Sequence, residues 1–335
     1  MEIRVDFFED KKRWNNFLDE INYLSFLQDF EYGEIEKRLN REVLRLGIFK
    51  NNELIGVCQL IGYKGKRGSG LVVHHGPVIK NEFFYDGLQG ILEFLKANNY
   101  HEKYDFLRIN PIETETEKEI FFEKLNFKLA PTYAVTENFW IKEIKSDEEM
   151  LKEMEKNHRK QVLASLKKPF LEIEKTNSLE KFEIFWEIYQ DLAKRKNFVP
   201  YSKEFIKNEY EIYAKENKAL LFLGKVENKY LAGALIIFSH NSAFYHHSAS
   251  YPIKEPLNYK LQWEIIQESK LRGCKFYNFW GIARKETSDH PWYGLTKFKK
   301  GFGGNLIKLL PTMDYKFSFK YWFIYLWEKF KRRKL

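Results

Sequence analysis

The chain has 335 residues, 44% of them hydrophobic and 17% aromatic, and a net charge of +9. That apolar content excludes a largely disordered chain, which lacks the surface to offset ordering entropy, and the length fits two domains of ~100–200 residues each. With only 2 cysteines, Cys58 and Cys274, a disulfide framework and a cysteine-based zinc centre are excluded.

The first residues, MEIRVDFFED, hold no apolar run, so no signal peptide is expected. No stretch approaches the ~18 apolar residues of a membrane-spanning helix. These readings point to a reduced, cytoplasmic protein. Residues 25–40, SFLQDFEYGEIEKRLN, read as the start of an amphipathic helix ending in Lys37 and Arg38. A strand, turn, strand pattern follows in GIFKNNELIG (47–56), then VVHHGPV (72–78), a helical pattern GLQGILEFLKANN (87–99) and an apolar strand YDFLRIN (104–110).

The same order returns later. GKVENKYLAG (224–233) is a second hairpin, offset from the first by 224 − 47 = 177 residues. YHHSASY (245–251), LNYKLQWEIIQESKLRG (257–273) and KFYNFWGI (275–282) complete it. Four matches in order predict an internal duplication of α/β units, each with a helix crossing between strands. The junction is expected near 142–150, giving units 1–145 and 146–314 and a tail, 315–335. Between them, LKEMEKNHRKQVLASLKK reads as a charged helix with a solvated basic face. DLAKRKNFVPYSKEFI (191–206) reads as a helix end whose Lys194, Arg195 and Lys196 complement its dipole.

Neighbours on a regular strand point to opposite faces. The pairs His74–His75 and His246–His247 are therefore expected to make no simple metal site, and no metal is expected. The chain holds no GxxxxGK[ST], no GxGxxG after a strand, no HExxH and no GxSxG. The segment HPWYGLTKFKKGFGGNLIKLLP (290–311) combines glycines with Lys297, Lys299 and Lys300. Such a turn suits a phosphate or a developing oxyanion; the other reading is an ordinary turn with solvated lysines. In the tail, seven basic residues stand against Glu328, a net 7 − 1 = +6 over 315–335. Trp322, Phe323, Leu326, Trp327 and Phe330 recur at helical spacing. This fits a helix in an anionic membrane interface or one whose aromatic face packs on the body.

Taken together, LQDFEYGEIEKRL (27–39), NHRKQVLASLKKPFLEI (157–173) with AKRKNF (193–198), and FYNFWGI (276–282) followed by GLTKFKKGFGG (294–304) resemble the Fem-type (FemABX) aminoacyltransferases, which build peptidoglycan interpeptide bridges. The resemblance runs along the chain in order and fits the compact branch without a coiled-coil insertion. It implies two tandem GNAT-like (N-acetyltransferase-like) domains, each a mixed sheet with flanking helices. It implies transfer of an amino acid from aminoacyl-tRNA, a co-substrate with no further cofactor, to a stem-peptide amine. The acceptor would be a UDP-muramyl peptide or lipid II, with peripheral contact at the inner membrane surface through the tail.

By position, Lys299 matches the family's lysine beside the aminoacyl ester. Lys37 matches a lysine holding the precursor diphosphate. Arg195 and Tyr201 fall in the stretch lining that precursor, with Tyr201 where some members place an arginine. Asn110 stands where compact members place an acid, so a general base is in doubt there. His247 and Tyr251 belong to the matching cleft strand, and Phe298 completes the substrate-binding set. Two alternatives stay open. An acyl-CoA-dependent N-acyltransferase needs a glycine loop opening a helix, whereas FKKGFGG has Phe298 at its Arg/Gln position and precedes a strand-like NLIKLLP. The other is a non-catalytic Fem-like binding protein.

Overall fold

The structure, a computed structural model, describes residues 3–66 and 68–332. Its strands are β1 (Ile3–Phe7), β2 (Glu42–Lys50), β3 (Glu53–Gly65), β4 (Gly68–His74), β5 (Val78–Ile79), β6 (Phe106–Asn110), β7 (Lys128–Leu129), β8 (Asn138–Glu143), β9 (Leu171–Thr176), β10 (Ala219–Val226), β11 (Lys229–Ser239), β12 (Ser242–Ser250), β13 (Phe276–Gly281), β14 (Asn305–Lys308) and β15 (Met313–Lys316). Its helices are α1 (Lys11–Glu20), α2 (Phe30–Arg38), α3 (Phe84–Ala97), α4 (Tyr100–Lys103), α5 (Glu119–Lys124), α6 (Asp147–Glu153), α7 (Lys156–Leu166), α8 (Phe182–Lys196), α9 (Lys203–Lys215), α10 (Leu257–Leu271), α11 (Tyr293–Lys300) and α12 (Tyr321–Arg332). No helix among the described residues is long and apolar enough to cross a membrane.

The chain forms two units, one of Met1–Glu137 with Lys308–Leu335, the other of Asn138–Ile307. In the first, the sheet order is β1-β2-β3-β4-β6-β15-β7, with β5 on β3. The β2–β3 hairpin turns at Asn51 and Asn52, both at positive φ, where Asn is tolerated. α3 buries Phe84, Leu88, Ile91, Leu92 and Leu95, one stripe at helical spacing, against Leu46, Leu60, Leu71 and Leu107 of the sheet. β4 and β6 then pair in parallel, with His74 opposite Asn110.

In the second unit the order is β14-β8-β13-β12-β11-β10-β9. The β10–β11 hairpin turns at Glu227 and Asn228, again at positive φ. β12 and β13 pair in parallel, and α10 between them buries Leu257, Leu261, Ile265 and Ile266. The duplicated order of hairpin, strand, helix and strand is present in both units.

The boundaries differ from the expected 1–145 and 146–314. β8 pairs with β13, Ile141 opposite Asn278, and so belongs to the second unit. Residues from Lys308 onward join the first, because β15 inserts between β6 and β7. The tail is therefore no appendage. Its helix α12 packs Tyr321 and Ile324 on Phe106. Arg108 joins the tail to β6 by a two-pronged bond to Asp314 at 2.7 and 2.8 Å and a further bond to Glu328. Arg333, Lys334 and Leu335 lie outside the described residues.

Candidate active site

The second unit gathers most of the chemistry. Thr296 and Lys299, one turn apart on α11, share its buried face. The Thr296 hydroxyl accepts from the Ala283 amide at 3.0 Å, and the Lys299 ammonium donates to the Gly281 carbonyl at 2.7 Å. Both tie the helix to the end of β13. There Trp280 adopts a left-handed φ of 64°, a strained conformation for a residue with a β-carbon, and its amide donates to the Asn278 side chain. No carboxylate pairs with Lys299 among the described residues. Burial alone pulls its pKa down from 10.5 to about 7.

The glycines of FKKGFGG serve packing. A β-carbon on Gly304 would stand 2.5 Å from the Ile141 carbonyl oxygen, and one on Gly301 would stand 2.0 Å from the His158 ring. The segment closes α11 and passes into β14, so it presents a helix C-terminus, which favours cations. A phosphate-cradling turn, which would open a helix, is not what the segment builds, and the CoA-type loop shares that requirement. Phe298 is partly buried and packs on His158, Tyr259 and Phe302, against the core of the second unit.

β12 departs from regular alternation. Leu235 pairs with His247 but the next residue, Ile236, pairs with Tyr245, leaving His246 as the extra residue of a β-bulge. The bulge turns both imidazoles toward Glu209. His247 Nε2 stands 3.0 Å and His246 Nε2 3.7 Å from the two carboxylate oxygens. The expectation that the pair points to opposite faces is thus overturned here. In the other pair His74 ends β4 and meets Tyr63 through Nε2, while His75, past the strand end at a left-handed φ of 47°, bonds Ser25 and the Thr136 carbonyl.

Around this group, His246 lies 5.0 Å from the Trp280 ring, and Tyr201 lies 5.3 Å from His247. Burial, with His247 and Lys299 as neighbouring charges, holds His246 neutral, well below its ordinary pKa. Arg195 caps the far end of β12, bonding the Ser250 carbonyl at 2.6 Å and Asp191 at 2.5 Å. The half-buried Tyr251 follows directly, its amide on the Leu231 carbonyl. Lys299, His247, Tyr201, Arg195 and Tyr251 therefore all fall in this unit, around β12 and the end of β13.

Lys37 and Asn110 belong to the first unit. Lys37 sits at the exposed end of α2, 3.2 Å from Glu34 and 3.8 Å from Glu9. Those two carboxylates also hold the buried Arg45, at 2.7 and 2.8 Å. Asn110 is buried at the end of β6. It donates to the Thr312 hydroxyl at 2.6 Å, which donates to Glu137. A carboxamide is too weakly basic to take up a proton, so Asn110 supplies no base, and its bonds brace the strand end.

Sequence reasoning missed Glu209. The signal was available: Phe205, Ile206, Glu209, Tyr210 and Tyr213 form one buried stripe of α9, and an acid inside an apolar stripe demands a partner. The role of His246 was hidden, because the bulge is set by pairing with β11 and not by local sequence.

Comparisons with known proteins extend this picture. Residues 224–329 match the model of the FemAB family. A lipid II:glycine glycyltransferase of Staphylococcus epidermidis (strain ATCC 35984) is 23% identical over 86% of this chain and 87% of its own length. The crystal structure of FemX superposes with a TM-score of 0.84 at 20% identity, covering 98% of this chain and 100% of that one. A tandem GNAT protein from the clavulanic acid biosynthesis pathway superposes at 0.55 and 6% identity, covering 95% and 99%. The two structural likenesses bear out the expected fold, two tandem GNAT-like units.

Proposed function

We infer that this chain, which belongs to the Fem-type family, is an aminoacyltransferase that adds an amino acid to the stem-peptide amine of a peptidoglycan precursor, with aminoacyl-tRNA as donor. The observation that carries this reading is Lys299: a buried lysine with no carboxylate partner among the described residues, fixed on the Gly281 carbonyl at 2.7 Å, within the segment that matches the family model. Aminolysis of an activated ester needs orientation and charge stabilisation and no covalent intermediate on the protein. The acceptor nitrogen attacks the ester carbonyl. The C–O bond to the ribose breaks, and the ribose oxygen leaves as an alcohol carrying the proton that the amine gives up. Lys299, protonated, still has two N–H donors for the oxygen that gathers charge. Tyr201, Arg195 and Tyr251 are assigned to the acceptor, and Lys37 to its diphosphate. That last role requires the diphosphate to displace Glu34 and Glu9 from Lys37.

We assign the acceptor to the lipid-linked class. Support comes from the outer face of α12, where Phe323 and Leu326 are 77% and 62% exposed, with Phe319 at 82% just before the helix. Lys316, Lys320, Lys329 and Lys331 flank them. Apolar side chains rimmed by cations suit an anionic lipid surface. On this reading one face of the helix packs on the body and the opposite face meets the lipid surface.

The test is direct. The protein is incubated with a full pool of charged tRNA, or with acetyl-CoA, and with either a UDP-muramyl pentapeptide or a short-chain lipid II. Mass spectrometry reads the acceptor. An amino-acid increment that vanishes on RNase treatment supports the reading, and lipid II is expected to be the better acceptor. An acetyl increment, or no increment on either acceptor, overturns it.

A further inference from the structure

We propose that Glu209, His246 and His247 form a binding site for one divalent transition-metal ion of the zinc class. The proposal stands on geometry and does not depend on the transferase reading. The three side chains offer one ligand atom each, all within 4.8 Å of one another. Zinc bonds to nitrogen and oxygen are ~2.0–2.2 Å, which sets tetrahedral ligand atoms roughly 3.4 Å apart. The separations of 3.0 and 3.7 Å from Glu209 to the two imidazoles bracket that spacing.

Burial adds the second argument. Glu209 is 0% exposed and His247 4%. Neither carboxylate oxygen of Glu209 accepts a hydrogen bond, and His247 Nε2, though 3.0 Å from one of them, is out of alignment for one. A buried carboxylate without donors is costly unless a cation compensates it. Two imidazoles and one carboxylate are a borderline donor set, suited to Zn²⁺, Fe²⁺ or Ni²⁺ rather than to Mg²⁺ or Ca²⁺, which take oxygen.

The fold builds the site on purpose-shaped backbone. A regular strand would send one imidazole to each face of the sheet. The extra residue in β12 brings both to the same carboxylate, and bulges are commonly used to re-aim side chains in this way. Three protein ligands leave further coordination positions open.

The experiment uses the full chain, stripped with EDTA and titrated with Co²⁺ as a spectroscopic stand-in. The expected result is a visible d–d absorption saturating at one Co²⁺ per chain, displaced by Zn²⁺ and untouched by excess Mg²⁺. Glu209→Gln and His246→Asn are each expected to weaken Co²⁺ binding by at least about 10-fold, the smallest loss typical even of outer-shell partners. Circular dichroism checks that each variant is folded. If Glu209→Gln fails to fold, His246→Asn decides, since it alters the bulged residue alone. No d–d band in the wild-type chain, or a band of equal strength in a folded His246→Asn variant, overturns the site.

Discussion

Lys299 joins two demands that oppose each other. Its ammonium is wanted for the developing oxyanion, yet its burial favours the neutral amine, and the outcome is a pKa of about 7. The sign for stability follows. The unfolded lysine titrates near 10.5, so between about 7 and 10.5 the unfolded chain holds a proton that the folded chain lacks. The resulting penalty on folding is complete below about 7 and shrinks to nothing as pH rises past 10.5. Lys299→Met should abolish transfer and yet raise the urea midpoint of EDTA-treated protein, more at pH 6 than at pH 10. A variant that is inactive and also less stable at pH 6 would make Lys299 a structural residue. In the same EDTA-treated protein, kcat/KM for the wild type should bend downward as pH rises through about 7, where the cation is lost. Lys299→Arg, which stays charged, should lack that bend.

At the scale of elements, the duplicated units were readable because a hairpin, a His-bearing strand, an amphipathic helix and an apolar strand each leave a local pattern, twice. Pairings between distant segments leave none. Residues 138–143 look like the end of the first unit until β13 claims them, and 313–316 straddle the expected end of the second unit and start of the tail until β6 and β7 close around them. The glycines of FKKGFGG were visible, but their reason was not, since the Ile141 carbonyl and the His158 ring arrive from far along the chain. That reason is testable. Gly304 has φ +110° and a β-carbon there would lie 2.5 Å from a backbone oxygen, which no side-chain rotation relieves. Gly304→Ala should cost about 1–3 kcal/mol, the scale of one strained backbone residue, read as a lower urea midpoint at unchanged slope. The role of α12 needs a gentler probe than truncation, because cutting at 315 would remove half of β15. Replacing Phe319, Phe323 and Leu326 together by serine leaves the Tyr321, Ile324 and Glu328 face intact. The triple variant should melt like the wild type and bind anionic vesicles less tightly, while neutral vesicles distinguish neither protein. Undiminished sedimentation with anionic vesicles would exclude this face as the lipid contact.

For the whole molecule, buried histidines make stability a function of pH. In the first unit His74 and His75 are buried side by side, and burial lowers their pKa values from 6.5 to about 4 and about 3. Each is neutral in the fold and accepts or donates locally, His74 with Tyr63 and His75 with Ser25 and the Thr136 carbonyl. On unfolding at pH 5 both would take up a proton. Stability is therefore fully present above about pH 6.5 and falls as pH drops toward the folded values, by up to about 1.4 kcal/mol per group per pH unit. The depressed carboxylates add a loss of the same sign at lower pH: the Glu174 carboxylate, held at about 2 by Tyr230 and Lys225, contributes fully above about 4.5, and that contribution falls away as pH drops toward 2. Denaturation of the Lys299→Met variant, in which that lysine no longer titrates, at pH 8, 6.5 and 5 should give a small drop over the first interval and a sharp one over the second. His75→Gln, which keeps a donor and an acceptor on the ring's two sides and cannot titrate, should flatten the drop. A wild-type chain equally stable at pH 6.5 and pH 5 would mean that these imidazoles are reached by water, and that the strand end carrying Asn110 opens more readily than its hydrogen bonds imply.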